Sequence, residues 1–490
     1  MIIYLAILLI LAALSSRIAS KIGIPGLIIF LGLGMLFGSE GLNLIYLDDH
    51  VLVQQIAIAA LIIILFEGGF STQKKQIELS LGPAVSLATV GVIVTAICLG
   101  ILSHLILGLD IYSSILIGTI VASTDAAAVL SMFRNKKIEQ RTSSTLEIES
   151  ASNDPVAILL TITMIDLILD TLAAPAFLVL HLIWQIGAGF GVGIIIGKAG
   201  PYMLNKLKLE SGGFYYVLAL GLCFLSYSLA DEIHANGFLA VFMAGLIIGN
   251  KEFVYKQGIL RFLEGTSTFS QVLLFLMLGL LVIPSELIDL WKPGIIIAVI
   301  LMFVARPVAV IISTFFWKFS LNQIVVLCWG GMKGAVPIVL ATYPMVAGVD
   351  PGGFYFNIVF FVVLLSALIQ GSTIDIVSKK LGLLTGSFEQ SPHSMELISL
   401  EKSRCELLEF DVSQNSHLID KQIENMNLPP NSLITAIVRK NDIITPKGKT
   451  SIHAGDLLFI LTRYKDKERL LHLLQSAENN EKNEQTEVKN

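Results

Sequence analysis

From Ile2 to Val377 the chain repeats one pattern, a long apolar run followed by a short polar break. A bilayer is crossed by about 20 apolar residues in a helix, and the runs fall near 2–20, 24–38, 51–70, 80–107, 111–133, 146–169, 175–197, 213–231, 237–250, 266–283, 293–316, 321–343 and 354–377. The spans at 24–38 and 237–250 are short and glycine-rich, which suits tilted or partly re-entrant helices. After Lys380 the pattern changes. Residues 381–404 read as a linker. Alternation in "ELLEFDV" and in "SLITAIVRKNDIITPKGKTSIHAGDLLFILTR" predicts strands, the latter a meander turning at "RKND" and "PKGK". "HLIDKQIENMNLPPN" predicts a helix between them, and "KDKERLLHLLQ" a short final one. The polar residues 476–490 predict a disordered tail. The expected fold is therefore an all-α polytopic membrane domain of about thirteen spans (1–380), followed by a small α+β domain (405–475). About 70 residues is little for an independent core, so this second domain is expected to dimerise.

Composition agrees. Of 490 residues, 54% are hydrophobic and 14% charged, against roughly 25% charged in soluble domains. The net charge of −5 says little beside its distribution. Arg17, Lys21, Lys74, Lys75, Arg134, Lys136, Lys137, Arg141, Lys198, Lys206, Lys208, Lys251, Lys256, Arg261, Lys318, Lys379 and Lys380 all fall in odd-numbered loops or the carboxyl end, and the even loops hold only Lys292. Positive charge stays inside. The amino terminus is thus expected outside and the second domain in the cytoplasm, in a multi-pass cell-membrane protein. The first apolar run lacks a basic leader and continues for a full span, so no cleavable signal is expected. Cys98, Cys223, Cys328 and Cys405 show no metal or disulfide spacing.

Charges inside the spans carry the candidate chemistry. Each costs about 2.5–3.5 kcal/mol at the bilayer centre, and such residues are usually functional. They are Glu67, Asp125, Glu149, Asp154, Arg306 and Lys333; Glu147 and Asp166 lie nearer span ends. Pairing of acids with bases explains part of the set, but leaves surplus carboxylates of the kind a cation site or proton carrier needs. Two spans are interrupted. "VASTDAAAV" places Ser123, Thr124 and Asp125 in the fifth, and "CWGGMKGAVPIV" places Gly330, Gly331, Gly334 and Pro337 in the twelfth. Broken helices at corresponding places in two halves point to a transporter site near the midplane. Asp125 and Lys333 would offset the exposed dipoles of the half-helices. A packing kink explains the glycines alone, not an Asp with a Lys. His104 and His234 suit packed or solvated roles, and the glycine ladder Gly187–Gly197 suits close helix packing.

Together "GTIVASTDAAAV", "ESASNDPVAI", "CWGGMKGAVPIVLA", "LFEGGF" and "ARPVAV" resemble the cation:proton antiporter-1 family, NhaP type, over the whole membrane part. The segment with "AGDLLFIL" resembles the C-terminal subdomain of regulator-of-K+-conductance modules (TrkA-C type); no GxGxxG half precedes it. The resemblance implies NhaA-like inverted repeats with crossed unwound helices, and a homodimer in the bilayer. It implies that Asp154 alternately binds a proton and a cation, with Asn153 marking the electroneutral branch. Ser150, Thr124 and oxygen near Asp125 would complete the cation ligands. It further implies that Glu149 holds Asn153 and pairs with a basic residue of the twelfth span, here Lys333, with Glu67 and Arg306 as further structural charges.

The residue chemistry points the same way. Hard cations take oxygen ligands, and Asp154, Ser150 and Thr124 supply them. Helical spacing puts Glu149 with Asn153, and Ser150 with Asp154, on one face. Burial favours the protonated carboxyl and a bound cation the ionised one, so competition at one site couples the two fluxes. A channel would need a filter, and an intramembrane hydrolase a nucleophile or metal set; neither pattern accompanies these aspartates. A TrkA-C-like tail suggests K+/H+ exchange, with Na+/H+ the alternative. No cofactor, enzymatic activity or nucleic-acid partner is expected. A nucleotide or cyclic dinucleotide on the tail rests on fold-level analogy.

Overall fold

Backbone polar groups in hydrocarbon must be satisfied within the segment, and the apolar runs accordingly fold as helices in the computed structural model. It describes residues 2–387 and 405–474, apart from 23–24, 48, 126–127, 130–132, 134–135, 170–174, 208, 350–352, 413–415, 417, 440–441, 464–465, 467–468 and 471–472. Most of the expected linker and the tail 476–490 lie outside the described residues. The chain divides into two units, Met1–Ser387 and Phe388–Asn490.

In the first unit, α1 is Ile2–Ile22, α2 Gly26–Phe37 and α3 His50–Ser71. Then α4 (Lys74–Ser86) continues through a π-turn, Leu87–Gly91, into α5 (Val92–Leu107), followed by α6 (Ile111–Ile120). A short strand β1 (Lys136–Ile138) precedes α7 (Gln140–Ile168), α8 (Pro175–Lys206), α9 (Gly212–Glu232), α10 (Gly237–Gly249) and α11 (Lys256–Leu281). The chain goes on as α12 (Pro284–Ile300), a π-turn at Leu301–Ala305, α13 (Arg306–Thr314), α14 (Leu321–Trp329), α15 (Ala335–Leu340) and α16 (Thr342–Val346). The last helix is α17 (Phe354–Ser366), which passes through a π-turn at Ala367–Gly371 into α18 (Ser372–Lys380). Among the described residues, eight helical stretches are long and apolar enough to cross a membrane, and shorter apolar helices occupy the other expected spans.

Helix starts follow the local sequence. The Asp49 carboxylate accepts from Leu52 N, Asp110 from Tyr112 N and Ser113 N, and Asn236 from Leu239 N. These side chains satisfy donors that a helix leaves open at its first turn. The glycine ladder of α8 lies against α10: a Cβ on Gly189 would meet Asn236 O, and one on Gly193 Met243 Cβ. On one side α3 packs against α10 and α11; on the other α4 packs against α7, and α5 against α6.

Both expected interruptions are present. In the fifth span α6 stops at Ile120, and in the twelfth α14 stops at Trp329 before α15 restarts at Ala335. The two unwound stretches meet, with Asp125 N donating to Met332 O at 2.8 Å. Each break therefore satisfies backbone of the other, which is what permits non-helical chain at membrane depth.

The first unit runs past Lys380. Leu384–Ser387 forms β2, antiparallel to β1 with Lys137 opposite Gly386, so the start of the expected linker belongs to the membrane unit.

In the second unit β3 (Cys405–Asp411), β4 (Leu433–Arg439), β5 (Asp442–Ile444) and β6 (Leu457–Arg463) form one antiparallel sheet in the order β3-β6-β4-β5. The stretch β4 to β6 is not the expected simple meander, because β6 pairs with β4 and not with β5, and lies between β4 and β3. The core of the unit includes Leu418, Ile437, Ile452, Leu458 and Leu470. The helix expected from "HLIDKQIENMNLPPN" is also corrected. Among the described residues the stretch holds a single 3₁₀ turn, Ile423–Asn425. Asp420, Asn427 and Asn431 adopt positive φ there, and Asp420 N is drawn to Ile452 O at 2.8 Å. Left-handed Asn and Asp positions end helices, and a cross-chain bond replaces the helical one.

Candidate cation and proton site

Two residues of α7, Ser150 and Asn153, bond the first break from one side. Asn153 Nδ2 donates to Thr124 Oγ1 at 2.6 Å, and Thr124 N donates to Asn153 Oδ1 at 3.3 Å. Ser150 Oγ donates to the Thr124 carbonyl at 2.8 Å. The α7 spacing of about 100° per residue puts Ser150, Asn153 and Asp154 on adjoining positions of one face, which is why a short sequence run supplies the whole frame. Pro155 continues within α7, and its carbonyl accepts from Asn236 Nδ2 at 3.0 Å.

Asp154 is 8% exposed, and its Oδ1 has no hydrogen-bond partner among the described residues. It lines a cavity of about 280 Å³ whose wall also includes Glu67, Ser71 and Thr72 of α3, Gln271 of α11, Thr124 and Asp125 of the first break, Glu147 and Ser150 of α7, and Gly334 to Pro337 of the second. Exposure rises along that wall. Asp154 is buried, Glu67, Glu147 and Ser150 are half-buried, and Ser71 is exposed. The cavity thus runs from the end of α3, where solvent reaches it, to the Asp154 carboxylate. Its wall offers carboxylate, hydroxyl and carbonyl oxygen among apolar side chains, and no basic side chain among the described residues. That donor set suits a hard monovalent cation, which prefers oxygen.

The other buried charges are tied to the frame. Glu149 is 1% and Arg306 3% exposed. Both guanidinium ends reach the carboxylate, with Arg306 Nη2 to Glu149 Oε2 at 3.0 Å and a second bond from Nη1 to Oε1. Nη2 also donates to Leu327 O at 3.1 Å. A Cβ on Gly331 would collide with this guanidinium, so the break needs glycine there. The pairing of Glu149 with Lys333 is therefore corrected: α13, not the twelfth span, supplies the partner, and Thr124, not Glu149, holds Asn153. The π-turn at Leu301–Ala305 immediately precedes Arg306. Such turns recur beside functional residues, and no sequence signal marked this one.

Lys333, 1% exposed, serves a different end. Its ammonium donates to Ala122 O at 3.2 Å and Ser123 O at 2.9 Å, beyond the carboxyl end of α6. Its donors there meet carbonyls just past the point where α6 stops, the groups that a helix end leaves open. Its own N–H donates to Ser366 Oγ at 3.0 Å. Asp125 Oδ1 accepts from Ala128 N at 3.0 Å, where the chain leaves the break. Gly334 lies against Asp125 so closely that any Cβ would overlap the carboxylate. Glu67 accepts from Ser71 Oγ at 2.6 Å and from Ser267 Oγ at 3.5 Å, and takes no part in the ion pair. Gln271, Ser71 and Thr72 were not legible as wall residues, since nothing in α3 or α11 alone shows which face meets α7.

The sodium/hydrogen exchanger, transmembrane, family matches residues 6–380, and the TrkA-C domain matches residues 407–474. A K(+)/H(+) antiporter NhaP2 of Shewanella sp. (strain ANA-3) is 36% identical over 481 residues, covering 96% of this chain and 83% of that protein. The K(+)/H(+) antiporter NhaP of Alkalimonas amylolytica is 34% identical over 479 residues, covering 97% and 83%. The Na(+)/H(+) antiporter ApNhaP of Aphanothece halophytica is 29% identical over 393 residues, covering 76% and 72%. In fold the chain is similar to the sodium proton antiporter MjNhaP1 of Methanocaldococcus jannaschii, with TM-score 0.69 and 24% identity over 78% of this chain and 98% of that one. The crossed breaks, the acid-lined cavity and a match spanning the whole membrane unit lead to one conclusion: this chain belongs to the sodium/hydrogen exchanger family and is a multi-pass membrane cation:proton antiporter with a TrkA-C domain.

Proposed function

We propose that the chain exchanges K+ for H+ electroneutrally at Asp154. The observation that carries this is the Asp154 carboxylate, facing a cavity whose wall carries carboxylate and hydroxyl oxygen, with Oδ1 unpartnered among the described residues, while Glu149 with Arg306 and Lys333 with its carbonyls are engaged elsewhere. A proton on Asp154 removes the charge that holds a cation, and a cation in its place favours the ionised form. The same carboxylate cannot carry both, so occupancy alternates. Asn153 is neutral and already bonded to Thr124, so one carboxylate exchanges one proton for one cation and no net charge moves. Thr124, Ser150 and oxygen near Asp125 would share the cation. Potassium is preferred because the K(+)/H(+) relatives match nearly the full length, TrkA-C segment included, at higher identity than the Na(+)/H(+) relative.

The loop charges set the amino terminus outside and the TrkA-C domain in the cytoplasm, so the cavity mouth at the end of α3 opens to the cytoplasm. The protein acts as a homodimer, and the TrkA-C domain binds a cytoplasmic nucleotide or cyclic dinucleotide that biases the cycle. The test is dissipation of an imposed pH gradient in proteoliposomes by K+, Na+, Li+ and Rb+ at several pH values, with and without valinomycin. K+ is expected to dissipate it best, at a rate that a clamped membrane potential leaves unchanged. A dominant Na+ response overturns the cation assignment, and a voltage-dependent rate overturns electroneutrality.

A further inference from the structure

Far from the cavity, one half-buried carboxylate joins three parts of the first unit. Glu139 sits between β1 and α7. Gln323 Nε2 donates to both its oxygens, at 2.8 and 2.7 Å, and Thr142 Oγ1 donates to Oε2 at 2.7 Å. Its backbone N donates to Leu383 O at 3.0 Å, just before β2. Gln323 is itself fixed from the other end, because its Oε1 accepts from Ser320 N at 2.8 Å in the capping box that starts α14. Its amide oxygen therefore holds the start of α14 while its amide nitrogen holds the start of α7. Neighbouring contacts repeat the grip. Arg141 Nη2 donates to Trp317 O at 2.6 Å, and its guanidinium lies over the Phe319 ring at 4.2 Å. Asn322 Nδ2 donates to Leu381 O at 3.1 Å.

The elements so joined are those that build the ion site. α7 carries Glu149, Ser150, Asn153 and Asp154, and α14 leads directly into the break that holds Met332, Lys333 and Gly334. At 1.5 Å per helical residue, Glu139 lies about 22 Å from Asp154, too far to meet the ion. We infer that Glu139 is a positioning residue for exchange: through Gln323 it locks α7 to α14, so that the two breaks keep their register through exchange, and it fixes β2 to the same pair of helices. The inference rests on the reading of Asp154 as the exchanging carboxylate.

The experiment uses full-length protein in proteoliposomes, with apparent cation KM and maximal rate measured using K+ and Na+. Gln323→Glu keeps an oxygen for Ser320 N but sets a carboxylate against Glu139. It is expected to raise the cation KM by about threefold or more, since small misplacements of positioned groups carry large rate and affinity costs. The exchanged pair Glu139→Gln with Gln323→Glu restores one donor and one acceptor, and is expected to return KM to within twofold of wild type. Glu139→Gln alone, which still offers an acceptor oxygen, is expected to stay near wild type. A Gln323→Glu variant with unchanged KM, or an exchanged pair no better than that single variant, overturns the inference. Asp154→Asn is the control. If it still transports, the reading of Asp154 has failed; if it is inactive while Gln323→Glu behaves as wild type, the clamp alone has failed. A disulfide between Lys137→Cys and Gly386→Cys, opposed across β1 and β2, is expected to leave exchange intact. Loss of exchange on oxidation, recovered on reduction, would show that exchange requires β1 and β2 to part, and overturns the fixing of β2 to α7.

Discussion

Replacing Arg306 by Met separates the two buried bases more sharply than any other change. The guanidinium is 3% exposed and makes two bonds to a carboxylate that is 1% exposed. Met preserves much of the apolar stem but leaves the Glu149 carboxyl buried without its partner, and also removes the donor to Leu327 O. Breaking a buried pair from one side costs about 3–5 kcal/mol, roughly two to nearly four orders of magnitude in the folded ratio at 1.36 kcal/mol per decade. Lys333→Met removes donors to two carbonyls instead. Two unsatisfied buried acceptors cost about 2–6 kcal/mol while dry, but carbonyls at an unwound break are relieved by entering water, which a stranded carboxylate inside packed helices is not. Arg306→Met is therefore expected to lower thermal stability of the purified, detergent-solubilised protein more than Lys333→Met does. Melting followed by loss of the monodisperse size-exclusion peak measures both. The pair Arg306→Met with Glu149→Gln should recover much of the loss, because it removes the stranded charge as well. Additive single-variant effects, within about 0.5 kcal/mol, would refute the coupling. Equal damage from the two single variants would refute the ranking.

Asp154→Asn is expected to abolish exchange of every cation while the protein still inserts and elutes as a folded species; retained cation-dependent gradient dissipation would remove Asp154 from its role. Asn153→Asp keeps the acceptor for Thr124 N and adds a carboxylate, so exchange should persist and become voltage-sensitive, which a potassium-diffusion potential tests directly. Gly334→Ala should lose transport, because its methyl would occupy the place of the Asp125 carboxylate; normal exchange would show that the breaks adjust freely. Removing residues 388–490 should leave exchange but flatten its response to pH, cation level or added nucleotide, and superimposable dose–response curves would deny the second unit a regulatory role.

Most of the architecture was legible because a bilayer imposes a long-period constraint on composition. Apolar run lengths placed the spans, and the breaks at Thr124 and Gly331 showed in residues that cannot sit comfortably in a helix interior. Charges too costly to bury idly marked Glu149, Asp154, Arg306 and Lys333 as a set. Partnership within that set was not legible. Any buried base can in principle serve any buried acid, and only the packing of α13 beside α7 gives Glu149 to Arg306 and leaves Lys333 to the carbonyls after α6. The same limit hid Glu139, whose role exists only because Gln323, remote in sequence, is folded against it. In the second unit, strand alternation was readable, but the insertion of β6 and the non-helical path of residues 418–431 were not. Local propensity favoured a helix there, and bonds to Ile452 and Thr450 from across the domain outweighed it. Sequence determined which residues are too polar for their surroundings and therefore need partners; tertiary structure chose the partners, because hydrogen bonds and ion pairs are decided by a few ångströms that only the packed chain defines.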